Sequence, residues 1–197
     1  MNEKTIQYYN EHGEEFCTGT FSVDMSERRD RFLAYLQPGS RILDAGCGSG
    51  RDTLVFLQAG YQVDAIDASE EICRIASQKT GIFVRQQRFE ELEGQELYDG
   101  IWACASLLHV AAVDLPDVLV RLHRLLKNSG VIYVSFKFGV GERQKEDGRY
   151  FNDMREEILC RLLHDAGFNV KEVFITPDMR EDRRNENWVN AIAEKTI

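Results

Sequence analysis

The sequence predicts a single α/β domain: a seven-stranded, mostly parallel sheet with helices on both faces and its last strand antiparallel. Three observations carry that expectation. From residue 41 onward, strand-like runs alternate with amphipathic helical stretches, the pattern of parallel strands joined by crossover helices. The first run passes straight into a glycine-rich turn, Gly46-Cys47-Gly48-Ser49-Gly50. The last two runs have no helix between them, so one of the pair turns back on the other.

In chain order, Arg41-Ile42-Leu43-Asp44-Ala45 is the first strand, and the apolar stretch from Thr53 opens a helix that stops at Gly60. Residues 61–67 alternate with period two, as a half-buried strand does. Ser69, with Glu70, Glu71 and Ile72 after it, reads as an N-cap and first helical turn. Strands follow at 82–85 and 98–103. Pro116 sits near the start of a helix through Leu119, Leu122 and Leu126, with Lys127 in its last turn and Gly130 ending it. Residues 131–136 are the most strand-like run in the chain. A helix over 153–166 stops at Gly167, and strands near 169–176 and 187–194 complete the sheet. Residues 137–153 read as the longest loop, a length that is commonly functional.

Composition narrows the class. The chain has 197 residues, 24 basic and 33 acidic side chains and a formal net charge of −9. A domain of this size buries roughly 70% of its unfolded surface and needs no disulfide or metal staple. No run of about 18 apolar residues offers a membrane span, and residues 1–6 lack the features of a signal peptide. The five cysteines are scattered, without CxxC or Cys-His clusters, so reduced thiols in the cytoplasm and no metal site are expected. Residues 1–120 carry 10 basic and 20 acidic groups, while 121–197 carry 14 and 13. That balance lacks the basic field of a nucleic-acid binder and favours a small or non-acidic substrate.

The glycine turn is the strongest chemical signal. Alternate glycines let the backbone turn sharply and approach a ligand, and the helix that follows offers free N–H groups. Asp67 ends the second strand, where a carboxylate can accept hydrogen bonds from both hydroxyls of a ribose. The nicotinamide fingerprint GxGxxG would place glycine at position 51, which is Arg51. A nicotinamide oxidoreductase is thereby disfavoured.

Asp44-Ala45-Gly46-Cys47-Gly48-Ser49-Gly50 instead resembles the D-x-G-x-G-x-G motif of class I S-adenosylmethionine-dependent methyltransferases. The resemblance runs over roughly residues 40–170 and takes in Tyr98-Asp99-Gly100-Ile101-Trp102-Ala103 as the fourth strand and 126–131 as the turn before the fifth. Within that class the chain looks like small bacterial stand-alone enzymes of the tellurite-resistance and thiopurine type. The likeness implies a Rossmann-like fold with an N-terminal helical lid (1–38), a cofactor-binding core (39–137) and C-terminal strands with an acceptor-side loop (138–197). It implies S-adenosylmethionine as cofactor and S-adenosylhomocysteine as product. Gly46, with Ala45, Cys47, Gly48 and Gly50, would pack on the amino-acid part, whose ammonium Asp44 helps to hold. Asp67 and Ala68 would take the ribose, and Arg88 and Phe89 would flank adenine. An acidic residue is usual where Arg88 stands, which leaves Glu90 or a backbone carbonyl to read the adenine amino group. Cys104, Ala105 and Ser106 would line the methionine side.

Methyl transfer from a sulfonium needs alignment and water exclusion, and needs a base only when the acceptor carries a proton. His109 follows the fourth strand and has a suitable intrinsic pKa; a structural histidine is the competing account. Tyr9, in the N-terminal segment, is a second candidate, set against simple packing of Tyr8 with Ile6 and Phe16. His12 and Asp24 are further lid candidates. Arg143, Lys145, Arg149 and Tyr150 in the long loop, and Arg180, Arg183 and Arg184 later, could grip an anionic acceptor, but interleaved acids suggest self-paired, solvated segments. Trp102 and Trp188 are expected to pack. A small-molecule acceptor fits best; an RNA or protein acceptor, or a cofactor-binding protein without transferase activity, stays open, as does oligomeric state.

Overall fold

The computed structural model describes residues 2–180, 183 and 185–196. Glu181, Asp182 and Arg184 lie outside the described residues. Three N-terminal helices, α1 (Glu3–Glu11), α2 (Gly13–Phe21) and α3 (Ser26–Leu33), precede the sheet. Then come β1 (Arg41–Ala45), α4 (Arg51–Gln58), β2 (Gln62–Asp67), α5 (Glu70–Thr80), β3 (Arg85–Gln86), β4 (Tyr98–Ala103), α6 (Leu115–Leu125) and β5 (Leu126–Lys137). A hairpin of β6 (Gly141–Gln144) and β7 (Tyr150–Asp153) is followed by α7 (Glu156–Asp165), β8 (Phe168–Pro177) and β9 (Asn187–Lys195).

The main sheet has seven strands in the order β3-β2-β1-β4-β5-β9-β8. Every neighbouring pair is parallel except those made by β9, which runs antiparallel to both β5 and β8. Alternation along the central strands sends side chains to two cores. Ile101 and Ile132 join Leu119, Leu122, Leu159 and Leu163 on the α6–α7 face. Trp102 and Tyr133 join Phe32 and Phe56 on the α3–α4 face, the indole stacked on the phenol ring at 4.0 Å. The helices α1 and α2 ride on α5, where Cys17 packs against Ile72 and Ile75. The chain order reverses between β1 and β4, and open α/β sheets bind ligands beside such a reversal, at the carboxyl ends of the strands.

Four boundaries differ from the sequence reading, each for a physical reason. The third strand is only Arg85–Gln86, because pairing to Ile66 and Asp67 ends there. Helix α6 stops at Leu125: Leu126 already pairs with Tyr98, and Lys127 is a strand residue whose ammonium donates to Asp99 at 2.9 Å. The helix expected over 153–166 is Glu156–Asp165, since Asp153 still belongs to β7. The long loop is a two-stranded ribbon, closed by a Lys145 N–H donating to the Arg149 carbonyl at 2.8 Å.

Candidate active site

The glycine turn leaves β1 with three left-handed residues, Gly46 (φ 83°), Gly48 (φ 55°) and Gly50 (φ 76°). At Gly46 the requirement is spatial as well: a Cβ there would lie 2.4 Å from the Ser106 Cβ. Gly50 caps α4, and a Cβ would meet Thr80 at 2.7 Å. The turn is tied to β2 through Gly46 and Cys47 N–H groups that both donate to the Ile66 carbonyl at 2.9 Å. Asp67 is braced from both sides, accepting from the Gly48 N–H at 3.1 Å and the Ser69 N–H at 3.0 Å. Burial raises its carboxyl pKa, and those backbone donors oppose the rise.

Two further carboxylates lie beneath the turn in different electrostatic states. Asp44 is buried and accepts from the Thr53 hydroxyl at 2.6 Å; burial, with the nearby Asp52 charge, pushes it up to about 7. Burial acts on Asp52 in the same direction, but Arg51 and Arg29 overcome it and hold that carboxyl low. Asp52 also accepts from the Trp102 indole N–H at 3.0 Å.

The turn opens onto a cleft along the carboxyl edge of the sheet. It has two adjoining lobes, and Tyr9, Phe16, Gly46, Gly48, Ala105 and His109 line both. The smaller lobe, about 50 Å³, runs to Asp67, Ala68, Gln87 and Phe89. The larger, about 160 Å³, runs past Asp44 and Cys104 to Lys137, Thr176, Asp178 and Trp188. At the junction, His109 Nδ1 lies 2.7 Å from the Tyr150 carbonyl and Nε2 lies 3.0 Å from the Tyr9 hydroxyl. A carbonyl only accepts, so Nδ1 carries the proton and a bare Nε2 accepts from Tyr9. Burial lowers His109 to about 4 and raises Tyr9 to about 12, so both are neutral at pH 7. The floor of the larger lobe is a compensated ion cluster: Lys137 donates to Asp178 at 2.8 Å and to Glu186, and Asp178 also accepts from Arg180 at 2.7 Å.

The cleft brings together most residues singled out in the sequence. Asp44, Gly46, Cys47, Gly48, Cys104, Ala105, Ser106, Asp67, Ala68, Phe89, His109 and Tyr9 all line it. Ala45 and Gly50 support it from outside, the Ala45 carbonyl accepting from the Ser106 hydroxyl at 2.6 Å. Arg88 does not line it; its guanidinium is paired with Glu3 at 2.6 Å. Of Arg143, Lys145 and Arg149, Arg149 alone reaches the cleft, paired to Asp147, whereas Arg143 pairs with Asp153. Tyr8 stacks on His12, and it is Tyr9 that meets Phe16. Asp24 is exposed and caps the Ser26 N–H. Sequence reasoning passed over Arg28, Lys137, Ser135 and Asp178, which carry no motif and reach the cleft through tertiary packing alone.

A family model described as a methyltransferase domain matches residues 18–173 of this chain. The chain belongs to that family. It is a class I S-adenosylmethionine-dependent methyltransferase with a Rossmann-like sheet. The methyltransferase is 28% identical over 153 residues to a ubiquinone biosynthesis O-methyltransferase of Rickettsia prowazekii, an alignment covering 68% of this chain and 60% of that one. It is 33% identical over 137 residues to an S-adenosyl-L-methionine-dependent Diels-Alderase of Talaromyces variabilis, covering 61% and 46%. It therefore matches less than two thirds of either relative's length. A solved Burkholderia thailandensis 1,6-didemethyltoxoflavin-N1-methyltransferase, holding 1,6-didemethyltoxoflavin and S-adenosylhomocysteine, superposes with a TM-score of 0.79 at 26% identity, covering 98% of this chain and 88% of that one. No helix among the described residues is long and apolar enough to cross a membrane.

Proposed function

We propose that this methyltransferase moves the S-adenosylmethionine methyl group to a small-molecule acceptor by in-line displacement. An acceptor lone pair attacks the methyl carbon, the carbon–sulfur bond breaks, and sulfur keeps the bonding pair as the neutral thioether of S-adenosylhomocysteine. A proton on the acceptor passes to His109 through the Tyr9 hydroxyl. In this reading Asp67 and Ala68 hold the ribose, Phe89 flanks adenine, and Asp44 faces the cofactor ammonium. Gly46, Cys47, Gly48 and Cys104 to Ser106 enclose the methionine part, while residues 1–38 form the lid. The observation that carries the proposal is the continuity of the cleft: Asp67 opens onto one lobe, Lys137 and Trp188 onto the other, and Tyr9 with His109 stands between them. A small acceptor is supported by the modest volume of the larger lobe, about 160 Å³, and by the Burkholderia relative, which holds 1,6-didemethyltoxoflavin.

Titration calorimetry of the protein with S-adenosylmethionine, S-adenosylhomocysteine and NADH tests the cofactor half. The first two should bind and NADH should not, and Asp67→Ala should weaken S-adenosylhomocysteine by about tenfold or more, the cost of losing hydrogen bonds to a charged acceptor. Unchanged affinity in a folded variant removes the ribose assignment. A second reading, cofactor binding without methyl transfer, is favoured by the Diels-Alderase relative. Conversion of bound S-adenosylmethionine to S-adenosylhomocysteine in the presence of an acceptor separates the two.

A further inference from the structure

The three arginines of α3 have unequal partners. Arg29 donates to Asp52 at 2.7 Å, and Arg31 to Glu172 and Glu27 at 3.1 Å. Arg28 is 4% exposed, yet among the described residues no carboxylate lies within ion-pair distance of it. Its one side-chain hydrogen bond among the described residues is a long one, 3.4 Å, to the Pro177 carbonyl. Sequence position explains the burial: Arg28 stands one helical turn before Phe32, which is wedged against Phe56 and Trp102, so both side chains face the sheet. A buried guanidinium with no paired carboxylate, only the exposed Asp24 in its neighbourhood, is costly, and this one lines the larger lobe of the cleft. Of the other cations of that wall, Lys137 and Arg180 are matched by Asp178, Arg149 by Asp147 and Arg51 by Asp52, and Arg183 lies in the field of Glu186.

We propose that Arg28 anchors a carboxylate carried by the methyl acceptor. The inference rests on the small-molecule reading above and names the class of molecule. A planar guanidinium with most of its donors uncommitted suits a carboxylate, which it grips through two parallel hydrogen bonds. Val23, Met25, Phe151 and Trp188 add apolar and aromatic surface to the same lobe, so the body of the acceptor is flat and apolar. The hydrogen bond to Pro177 sets Arg28 toward the β8 edge of the sheet, the opposite side from β2 and Asp67, so the acceptor rather than the cofactor is assigned as the source of the carboxylate. The overall negative charge of the chain argues against acidic ligands, but a desolvated local cation outweighs a screened average.

The test titrates the S-adenosylhomocysteine-saturated protein with naphthoate and hydroxybenzoate, each beside its primary amide. The wild type should prefer the acids by about tenfold or more. Arg28→Met should abolish that preference, Arg28→Lys should keep part of it, and both should bind S-adenosylhomocysteine within about twofold of wild type. Because it removes a buried charge that no carboxylate pairs directly, Arg28→Met should also melt no lower than wild type. Equal binding of acid and amide by the wild type, or a preference that survives Arg28→Met, overturns the anchor alone. Binding of neither acid nor amide overturns the anchor and the small-molecule reading together. If Arg28→Met loses S-adenosylhomocysteine but keeps methylthioadenosine, which has no carboxylate, the anion belongs to the cofactor and the proposal fails.

Discussion

Tyr9 and His109 meet across 100 residues of chain, and the reason lies in the groups behind them. The Tyr150 carbonyl fixes the imidazole tautomer, so Nε2 is a permanent acceptor aimed at the Tyr9 oxygen 3.0 Å away. Edge contacts of His109 with Tyr9 and Phe151 hold the ring in plane. Under the proposed function, the pair acts as a relay that takes the acceptor proton onto tyrosine oxygen only as tyrosine passes its own to Nε2. If so, removing either member breaks the same step. Tyr9→Phe and His109→Gln should each lower kcat by about 10²-fold on a proton-bearing acceptor, the range in which general bases contribute. The double variant should be no worse than either single one, as expected for groups that act as a unit, and S-adenosylhomocysteine affinity should hold. Steady-state kinetics of the three variants decides it. A Tyr9→Phe enzyme with normal kcat would leave His109 a structural histidine.

At the scale of elements, the β6–β7 hairpin is what joins the N-terminal helices to the Tyr9–His109 pair. Tyr150 uses both outward backbone groups: its carbonyl accepts from His109, and its N–H donates to the Thr5 hydroxyl at 2.9 Å. Arg149 lies over the Tyr8 ring at 4.2 Å. Thr5 is fully buried, so Thr5→Val preserves shape while leaving the Tyr150 N–H without an acceptor. The expected cost is about 1–3 kcal/mol, read from urea unfolding, together with faster amide exchange over α1. A change below about 0.5 kcal/mol, the size of a neutral surface substitution, would mean that the clasp carries no load. None of this hairpin is legible in the sequence, because Gly141–Gln144 is polar and exposed throughout and has no period-two pattern to read. What holds it is cross-strand charge, Arg143 with Asp153, and contact with α1 and His109. The central strands were legible for the opposite reason: 131–136 and 98–103 are apolar runs whose burial on both faces writes itself into composition. The glycine turn and Asp67 were legible because backbone geometry demands those residue types locally. Arg28 was not, since nothing local separates it from Arg29 and Arg31; only Phe32 one turn later tells which arginine turns inward.

Across the whole molecule, the buried acids under the glycine turn form an electrostatic socket whose two members are unequally compensated. Asp52 is paired with two arginines, whereas Asp44 has a hydroxyl as its side-chain partner and only the more distant Arg51 charge, and burial pushes it up to about 7. The sign follows from linkage. A carboxyl raised from 3.8 to about 7 on folding binds more protons in the native state through that interval, so native stability falls as pH rises across it and levels off above. His109, lowered from 6.5 to about 4, acts oppositely, adding stability as pH rises from about 4 to 6.5. The two slopes oppose each other, so a melting curve against pH conceals both, while ligand binding isolates the first. Under the proposed site, the cofactor ammonium supplies Asp44 with a close counter-charge and draws it into the ionised form. Binding then releases a proton, and S-adenosylhomocysteine affinity should rise about tenfold between pH 6 and pH 8, the span over which a group titrating near 7 loses its proton. Asp44→Asn should flatten that profile. Calorimetry in buffers of different ionisation enthalpy counts the released proton directly. A flat wild-type profile with no proton release would place the ammonium away from Asp44.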